Sequence, residues 1–334
     1  MTIRTRALLL LATLALFGSA VAQADVFSGT LYYTKFTGGA NLFSIDYSYN
    51  SVGNVLTYSN NTPIPHGISL GADGVIFDSA GHLLVGGQAP NVQRLNTNGT
   101  GFSAVAVPGL GAYHLTLSPD GSTVYTSDFG GPLASVDLSP VMTAYANKTV
   151  SGGDVGVTQI AFAPDGTVFY VDGSPNGFGN VGTGVIGATT FVTTRNYTSL
   201  TSAHGIIYDS FTGLMTLFGA GAVGTIDPGA ISTSLKQRTG INADFDQGSL
   251  DGFGHAFIAG NGQITFIDYS ATSDITAASG NFVSASSEGG LFAGIDDLAP
   301  LSGAGSNTVP EPGSIVLLAT VCAGVAFKLK RRIA

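Results

Sequence analysis

Between residues 74 and 260 one pattern of apolar and polar positions recurs five times. The segments are GVIFDSAGHLLVGG (74–87), HLTLSPDGSTVYTSD (114–128), QIAFAPDGTVFYVDG (159–173), HGIIYDSFTGLMTLFG (204–219) and DQGSLDGFGHAFIAG (246–260). Each has a short alternating run, a polar turn with Asp and Gly, and a second alternating run. Alternation at a period of two predicts strands with one buried face. Asp and Gly tolerate the positive φ of a tight hairpin. The turn glycines Gly81, Gly121, Gly166, Gly213 and Gly252 follow one another at 40, 45, 47 and 39 residues. Most repeats continue into a third strand, as in NVQRLNT (91–97), LASVDLS (133–139), AVGTIDP (222–228) and QITFIDY (263–269). A four-stranded unit of about 40–50 residues cannot bury both of its faces alone, so such units stack around an axis.

That grammar predicts an all-β fold, a β-propeller. Its ends suggest how the ring closes. FAGIDDLAPL (292–301) reads as an innermost strand with no hairpin partner after it, and LYYTKFTGGANLFSIDY (31–47) as outer strands with no innermost strand before them. Joined, they make a sixth blade, so six blades are expected, sealed by pairing of the N- and C-terminal strands. Such pairing also removes exposed strand edges. A seventh blade within 48–66 or 270–292 stays open, and a β-sandwich or solenoid is the competing architecture. The glycine-rich stretch GFGNVGTGVIG (177–187) has no lysine or helix signal after it and reads as a loose hairpin.

The two ends of the chain have a different character. Residues 1–24 carry Arg4 and Arg6, then the apolar run ALLLLATLALF (7–17), then small residues Ala22 and Ala24 at −3 and −1 of a cleavage site before Asp25. That order predicts a signal peptide handled by the Sec translocon, with a buried N-terminal helix as the alternative. The ectodomain is then 25–301, and a Gly/Ser linker follows at 302–308. At 309–334 come Val309, Pro310, Glu311 and Pro312, an apolar run SIVLLATVCAGVAF (314–327), and a basic stop of Lys328, Lys330, Arg331 and Arg332. Fourteen residues make a helix of about 21 Å, short against a hydrocarbon core of about 30 Å. The basic end is expected to stay cytoplasmic. The motif, the short transmembrane helix and the basic end, in that order, resemble the PEP-CTERM sorting signal of Gram-negative bacteria that make extracellular polysaccharide. The resemblance covers 309–332 and implies an exosortase-type processing enzyme as partner. It also implies an inner-membrane sorting intermediate and a final place at the cell surface or outside the cell. An ordinary membrane anchor is the alternative.

Charge narrows the partners. Only 10% of residues are charged, and between Asp25 and Gly313 six basic residues face 21 acidic ones, a balance of −15. Such a surface repels phosphate backbones, which sets nucleic acid aside. The single cysteine, Cys322, lies in the apolar tail, so the ectodomain forms no disulfide.

The start of each innermost strand should line a channel mouth. Alignment on the turn glycines puts Asp73, His114, Gln159, His204, Asp246 with Gln247, and Asp296 with Asp297 there. A ring of His and Asp is suited to a sugar, a divalent metal or acid–base work. Mouths of this kind are also polar simply because the channel is wet. His66, in a PIPHG loop, is a further candidate for the mouth. His82 and His255 each follow a hairpin glycine and read as structural, and Asp244 with Asp246 form a DxD pair that lacks EF-hand spacing. The S-P-D-G and A-P-D-G turns (118–121, 163–166) resemble those of the SMP-30/NHL-like group of six- and seven-bladed propellers, which includes the gluconolactonase-like lactonases. Those lactonases hold a metal with glutamate, asparagine and aspartate. The two glutamates here, Glu288 and Glu311, lie in a Ser/Gly loop and in the sorting motif, so the ligand set does not carry over. No H-E-x-x-H, C-x-x-C, P-loop or G-x-S-x-G motif occurs. The expectation is a non-enzymatic surface or matrix protein that binds polysaccharide or protein. The alternative is a metal-dependent hydrolase or lyase with its site at the His/Asp mouth.

Overall fold

The structure, a computed structural model, describes residues 26–37, 39–66, 71–107, 109–128, 131–144, 147–174, 178–201, 203–241, 248–260, 262–277, 281–285 and 290–301. The signal segment with Ala22 and Ala24, Asp244, Asp246, the linker and the whole C-terminal tail lie outside these residues. No helix among the described residues is long and apolar enough to cross a membrane.

Six sheets form six blades. The first runs β4 (Ala72–Phe77), β5 (Leu83–Gly87), β6 (Asn91–Leu95), β7 (Ser103–Ala106). The second runs β8 (His114–Leu117), β9 (Thr123–Ser127), β10 (Ala134–Asp137), β11 (Thr143–Ala144). The third has five strands: β13 (Gln159–Phe162), β14 (Val168–Ser174), β15 (Phe178–Ile186), β16 (Thr190–Thr201), and outermost β12 (Thr149–Gly152), parallel to β16. The fourth runs β17 (Ala203–Asp209), β18 (Leu214–Gly219), β19 (Ala222–Ile226), β20 (Lys236–Thr239). The fifth runs β21 (Gly248–Leu250), β22 (His255–Gly260), β23 (Gln263–Asp268), β24 (Asn281–Ala285). The closing blade joins the chain ends. Innermost β25 (Ile295–Pro300) pairs with β1 (Val26–Lys35), followed by β2 (Leu42–Asn50) and β3 (Val55–Pro63). Leu31 faces Pro300 across that seam, Tyr32 faces Ala299 and Tyr33 faces Leu298. The segments that left room for a seventh blade supply β3 and β24, the outer strands of two of the six.

Each innermost strand touches the innermost strands of the two neighbouring blades, so β25, β4, β8, β13, β17 and β21 close a ring. Six apolar clusters fill the six gaps between blades, and the period of two decides which residue goes where. Ile160, Val168 and Tyr170 pack toward the second blade with Leu133 and Phe191. Their neighbours Ala161, Phe169 and Val171 pack toward the fourth with Ile206, Met215 and Leu217. At the seam, Leu31 and Tyr33 meet Phe257, Phe266, Phe292 and Leu298, while Tyr32 meets Ala72, Val75 and Leu83 on the other side. Blades with two apolar faces are stable only when both are covered, which the closed ring achieves.

The turn glycines all have positive φ, between 71° and 87°. Beside them the turn aspartates cap backbone N–H groups. Asp78 Oδ1 accepts from Ala80 and His82 N, and Asp251 Oδ1 from Phe253 and His255 N. His82 and His255 close the same turns through Nδ1, 2.9 Å from Asp78 Oδ2 and 2.6 Å from Asp251 Oδ2. The stretch 177–187 differs from its reading as a loose hairpin: it contains β15, a long interior strand of the third blade. Its glycines reflect crowding. A Cβ on Gly184 would lie 2.3 Å from the Phe191 ring, so the ring takes the place of a side chain there.

Candidate functional site

Call the face where innermost strands begin the upper face and the face where they end the lower one. Asp73, His114, Gln159 and His204 all lie at upper strand starts, on β4, β8, β13 and β17, and all are buried. Two sit at irregularities in the ladder. The β4–β5 register shifts between Ala72 and Val75, around Asp73, and the β17–β18 register shifts between Ala203 and Gly205, around His204. A bulge re-aims the side chain it carries, which is why bulges gather near sites.

The structure brings part of the sequence-derived set together. Asp73 hydrogen-bonds Asp296 from the adjacent β25 and lies in the field of His114 on β8. Two carboxyls in hydrogen-bond contact hold a proton between them. Burial pushes the Asp73 carboxyl above its usual range, against the hydrogen bonds from Asp296 and Gln88 and the charge of His114. Gln88 Nε2 donates to Asp73 Oδ2 at 2.9 Å. Tyr113 Oη donates to Gln88 Oε1 at 3.3 Å. The Tyr113 phenol is raised by burial and then by the charges of Asp73, Asp128 and Asp296. His114 Nδ1 stands 3.8 Å from Asp297 Oδ2. The mouth cluster is therefore Asp73, Asp296, Asp297, His114, Gln88 and Tyr113. His66 lies in the loop between β3 and β4 on the same face, and burial lowers its pKa. Alignment on the turn glycines points to the starts of the innermost strands and so does not single out Gln88 or Tyr113. Gln88 directly follows the second strand of its hairpin, and Tyr113 precedes His114 by one position.

Gln159 has another job. Its Nε2 reaches Leu115 O on β8 at 3.5 Å and its Oε1 accepts from Ile206 N on β17 at 2.7 Å. One side chain thus links three innermost strands, which have no backbone ladder between them. At the seam Thr34, on β1, ties two innermost strands, β4 and β25: its hydroxyl donates to Asp73 O at 2.5 Å and accepts from Asp297 N at 3.0 Å. Among the described residues, no group of three or more His, Cys, Asp or Glu is placed to hold a metal ion.

A second polar cluster lies beside the mouth. Asp154, in the upper loop leading to β13, accepts from Tyr170 Oη, from Asn180 Nδ2 at 2.8 Å, and from Arg195 Nε at 2.9 Å and Nη2. Asp172, on β14, is pushed up to about 6 by burial and then by the negative charge of Asp154, with Arg195 and Asn180 acting against the shift. Because the folded chain holds this proton more tightly than the unfolded one, the stability it contributes is present below about pH 4 and is lost as pH rises through about 6. Holding the proton that much more tightly corresponds to roughly 3 kcal/mol, and partial solvent screening reduces it to about 1 kcal/mol. Asp172→Asn is therefore expected to raise Tm at pH 8 by about 2 °C and to flatten the fall in stability between pH 4 and 6. Thermal melts across that range check it. A variant whose Tm at pH 8 is lower than the parent's would mean that the carboxylate is a net stabiliser.

The lower mouth is apolar. A cavity of about 480 Å³ opens there. Phe77, Leu117, Pro119, Phe162, Pro164 and Tyr208, from four blades, line it. Its polar members Thr116 and Gln159 already bond to backbone, Thr116 Oγ1 donating to Ile160 O at 2.6 Å.

No protein-family model matches the chain, and no curated protein matches it in sequence. Solved structures do match. A protein from Lactobacillus plantarum aligns at 9% identity and TM-score 0.50, over 78% of this chain and 82% of that one. Hydrazine synthase from Kuenenia stuttgartiensis aligns at 14% identity and TM-score 0.46, over 74% and 78%. The β-propeller domain of Cps50 (Swd1) from Myceliophteria thermophila aligns at 13% identity and TM-score 0.45, over 74% and 86%. Identities this low speak to the fold alone.

Proposed function

We propose that the protein is exported and sorted through its C-terminal tail by an exosortase-type enzyme. It is then displayed at the cell surface or in the extracellular matrix, where its propeller binds a polysaccharide without turning it over. The observation that carries the binding reading is the upper mouth. Asp73, Asp296, Gln88 and Tyr113 present carboxyl, amide and phenol groups in one rigid cluster. Sugar hydroxyls both donate and accept, and such a cluster answers both needs. Its acidity favours neutral or amine-bearing sugars over acidic ones. The signal at 1–24 and the tail at 309–334 support export and sorting.

A second reading, a propeller hydrolase or lyase, rests on the same residues. A buried carboxyl whose pKa is raised, beside a second carboxyl, is the arrangement of a general acid and its partner.

One set of titrations tests both. Dextran and chitosan oligomers are titrated into the full chain, and reducing ends are counted after prolonged incubation. Binding that weakens about tenfold or more in Asp73→Asn and Gln88→Ala, without new reducing ends, supports the binding reading. New reducing ends move the assignment to the enzyme. No binding to either polymer, or binding indifferent to both variants, removes the mouth as a sugar site. Sorting is read separately from the mass of the mature protein with and without the processing enzyme. A form ending near Pro310–Gly313 only when the enzyme is present supports sorting. A chain intact to Ala334 in both cases makes the tail an ordinary anchor.

A further inference from the structure

The large apolar residues left exposed are not spread evenly over the two faces. Among the described residues, seven lie in segments connecting strands: Phe36, Val52, Phe102, Val141, Val155, Phe211 and Phe253. Five of these, Val52, Phe102, Val141, Phe211 and Phe253, lie in turns on the lower face. Scattered single apolar residues are normal on a protein surface. Here the five share the face that holds the 480 Å³ apolar cavity, Phe211 and Phe253 in the inner hairpin turns and Val52, Phe102 and Val141 in the outer turns of their blades. The chain also leaves the propeller on this face, because β25 runs with the other innermost strands and ends at Pro300. Twelve residues, 302–313, separate its last described residue from the apolar run at 314–327. Fully extended they span at most about 40 Å.

We propose that the lower face rests on a zwitterionic lipid surface, with Phe102, Val141 and Phe253 dipping into the headgroup region while the polar mouth faces away. This rests on the reading of the tail as membrane-inserted and concerns the sorting intermediate, before the tail is processed. Once the tail is inserted, the linker keeps this face close to the bilayer. Each loop tip then gains only a little, and the tether makes these weak contacts add together. The acidic turns on the same face, with Asp120 and Asp165 fully exposed, select against anionic lipid, so contact should weaken as phosphatidylglycerol is added.

The chain has no tryptophan, so one introduced tryptophan reports its own surroundings. The full chain carrying Phe102→Trp, Phe253→Trp or, as an upper-face control, Phe36→Trp is reconstituted into phosphatidylcholine vesicles with brominated or ordinary acyl chains. Emission from the Phe102→Trp and Phe253→Trp chains is expected to shift to the blue and to be largely lost with brominated lipid, while the Phe36→Trp chain keeps its emission. Chains that float with the vesicles but show equal emission at all three positions overturn the lipid contact and leave the tail reading standing. A blue shift without quenching means that protein covers the face, and also overturns it. Chains that do not float overturn both readings.

Discussion

A chain ended at Gly290 is expected to lose its cooperative fold, whereas one ended at Leu301 is expected to melt like the full-length protein. The difference is β25. Without it, Leu31 and Tyr33 lose Phe292, Ile295 and Leu298 from their cluster, and Tyr32 loses Ala299. The Phe, Ile and Leu side chains each contribute about 1.5–3 kcal/mol by burial, so their removal approaches the whole stability of an ordinary domain, about 5–15 kcal/mol. Thr34 also loses its bonds to β25, and β1 becomes an open edge able to pair with another chain. Because β25 touches β4 on one side and β21 on the other, the loss opens the ring at two interfaces. Size-exclusion chromatography and circular-dichroism melts of the two truncations decide the matter. A cooperative melt of the shorter chain near the parent's Tm would mean that end pairing is not what closes the ring.

That closure was legible in the sequence, because an unpaired alternating run at each end can be satisfied only by the other. The five hairpins were legible for a similar local reason. Gly81 and its counterparts need positive φ, and the strands beside them alternate. The third blade was harder to read. Its strand β15 is one-third glycine and shows little alternation, because Phe191 and other neighbours occupy the space that side chains would fill. Its fifth strand, β12, pairs in parallel with a strand about forty residues away and carries no hairpin signal. The mouth was half legible. Strand starts can be aligned, so Asp73, His114, Gln159 and His204 were found. Pattern alone does not distinguish a group facing the mouth from one tying strands together, as Gln159 does. Gln88 joins the site from just beyond β5 and Tyr113 from the loop before β8, and neither position has a period. Asp154, in the loop before β13, is likewise without a period.

Asp154→Ala is expected to cost about 2–3 kcal/mol, because it strands the buried Tyr170 hydroxyl while the part-exposed Arg195 guanidinium is left to water, and to lower Tm by about 6 °C. The Asp154 side chain is 1% exposed, and its carboxylate is the common acceptor for Tyr170, Asn180 and Arg195. Removing it strands the buried Tyr170 hydroxyl and leaves the Arg195 guanidinium without its partner. Asp154→Asn keeps one acceptor oxygen and the volume, so its loss should be smaller, while Tyr170→Phe removes a single donor and should cost about 1 kcal/mol. The carboxylate also anchors the upper loop to β14, β15 and β16 through Tyr170, Asn180 and Arg195, leaving in the variant only the backbone bonds of Asp154 to the Thr193 hydroxyl, both at 2.9 Å. That loop leads into β13, where Gln159 spans three innermost strands. The variant should therefore loosen the ring at the mouth as well as lower its stability. Hydrogen exchange at Ile206, whose N–H is bonded to Gln159, reads that coupling directly. Faster exchange at Ile206 in Asp154→Ala, beyond what the overall loss of stability produces, ties the cluster to the mouth. Exchange that follows global stability alone would confine Asp154 to its own blade, and a loss below about 1 kcal/mol would mean that its partners find water instead.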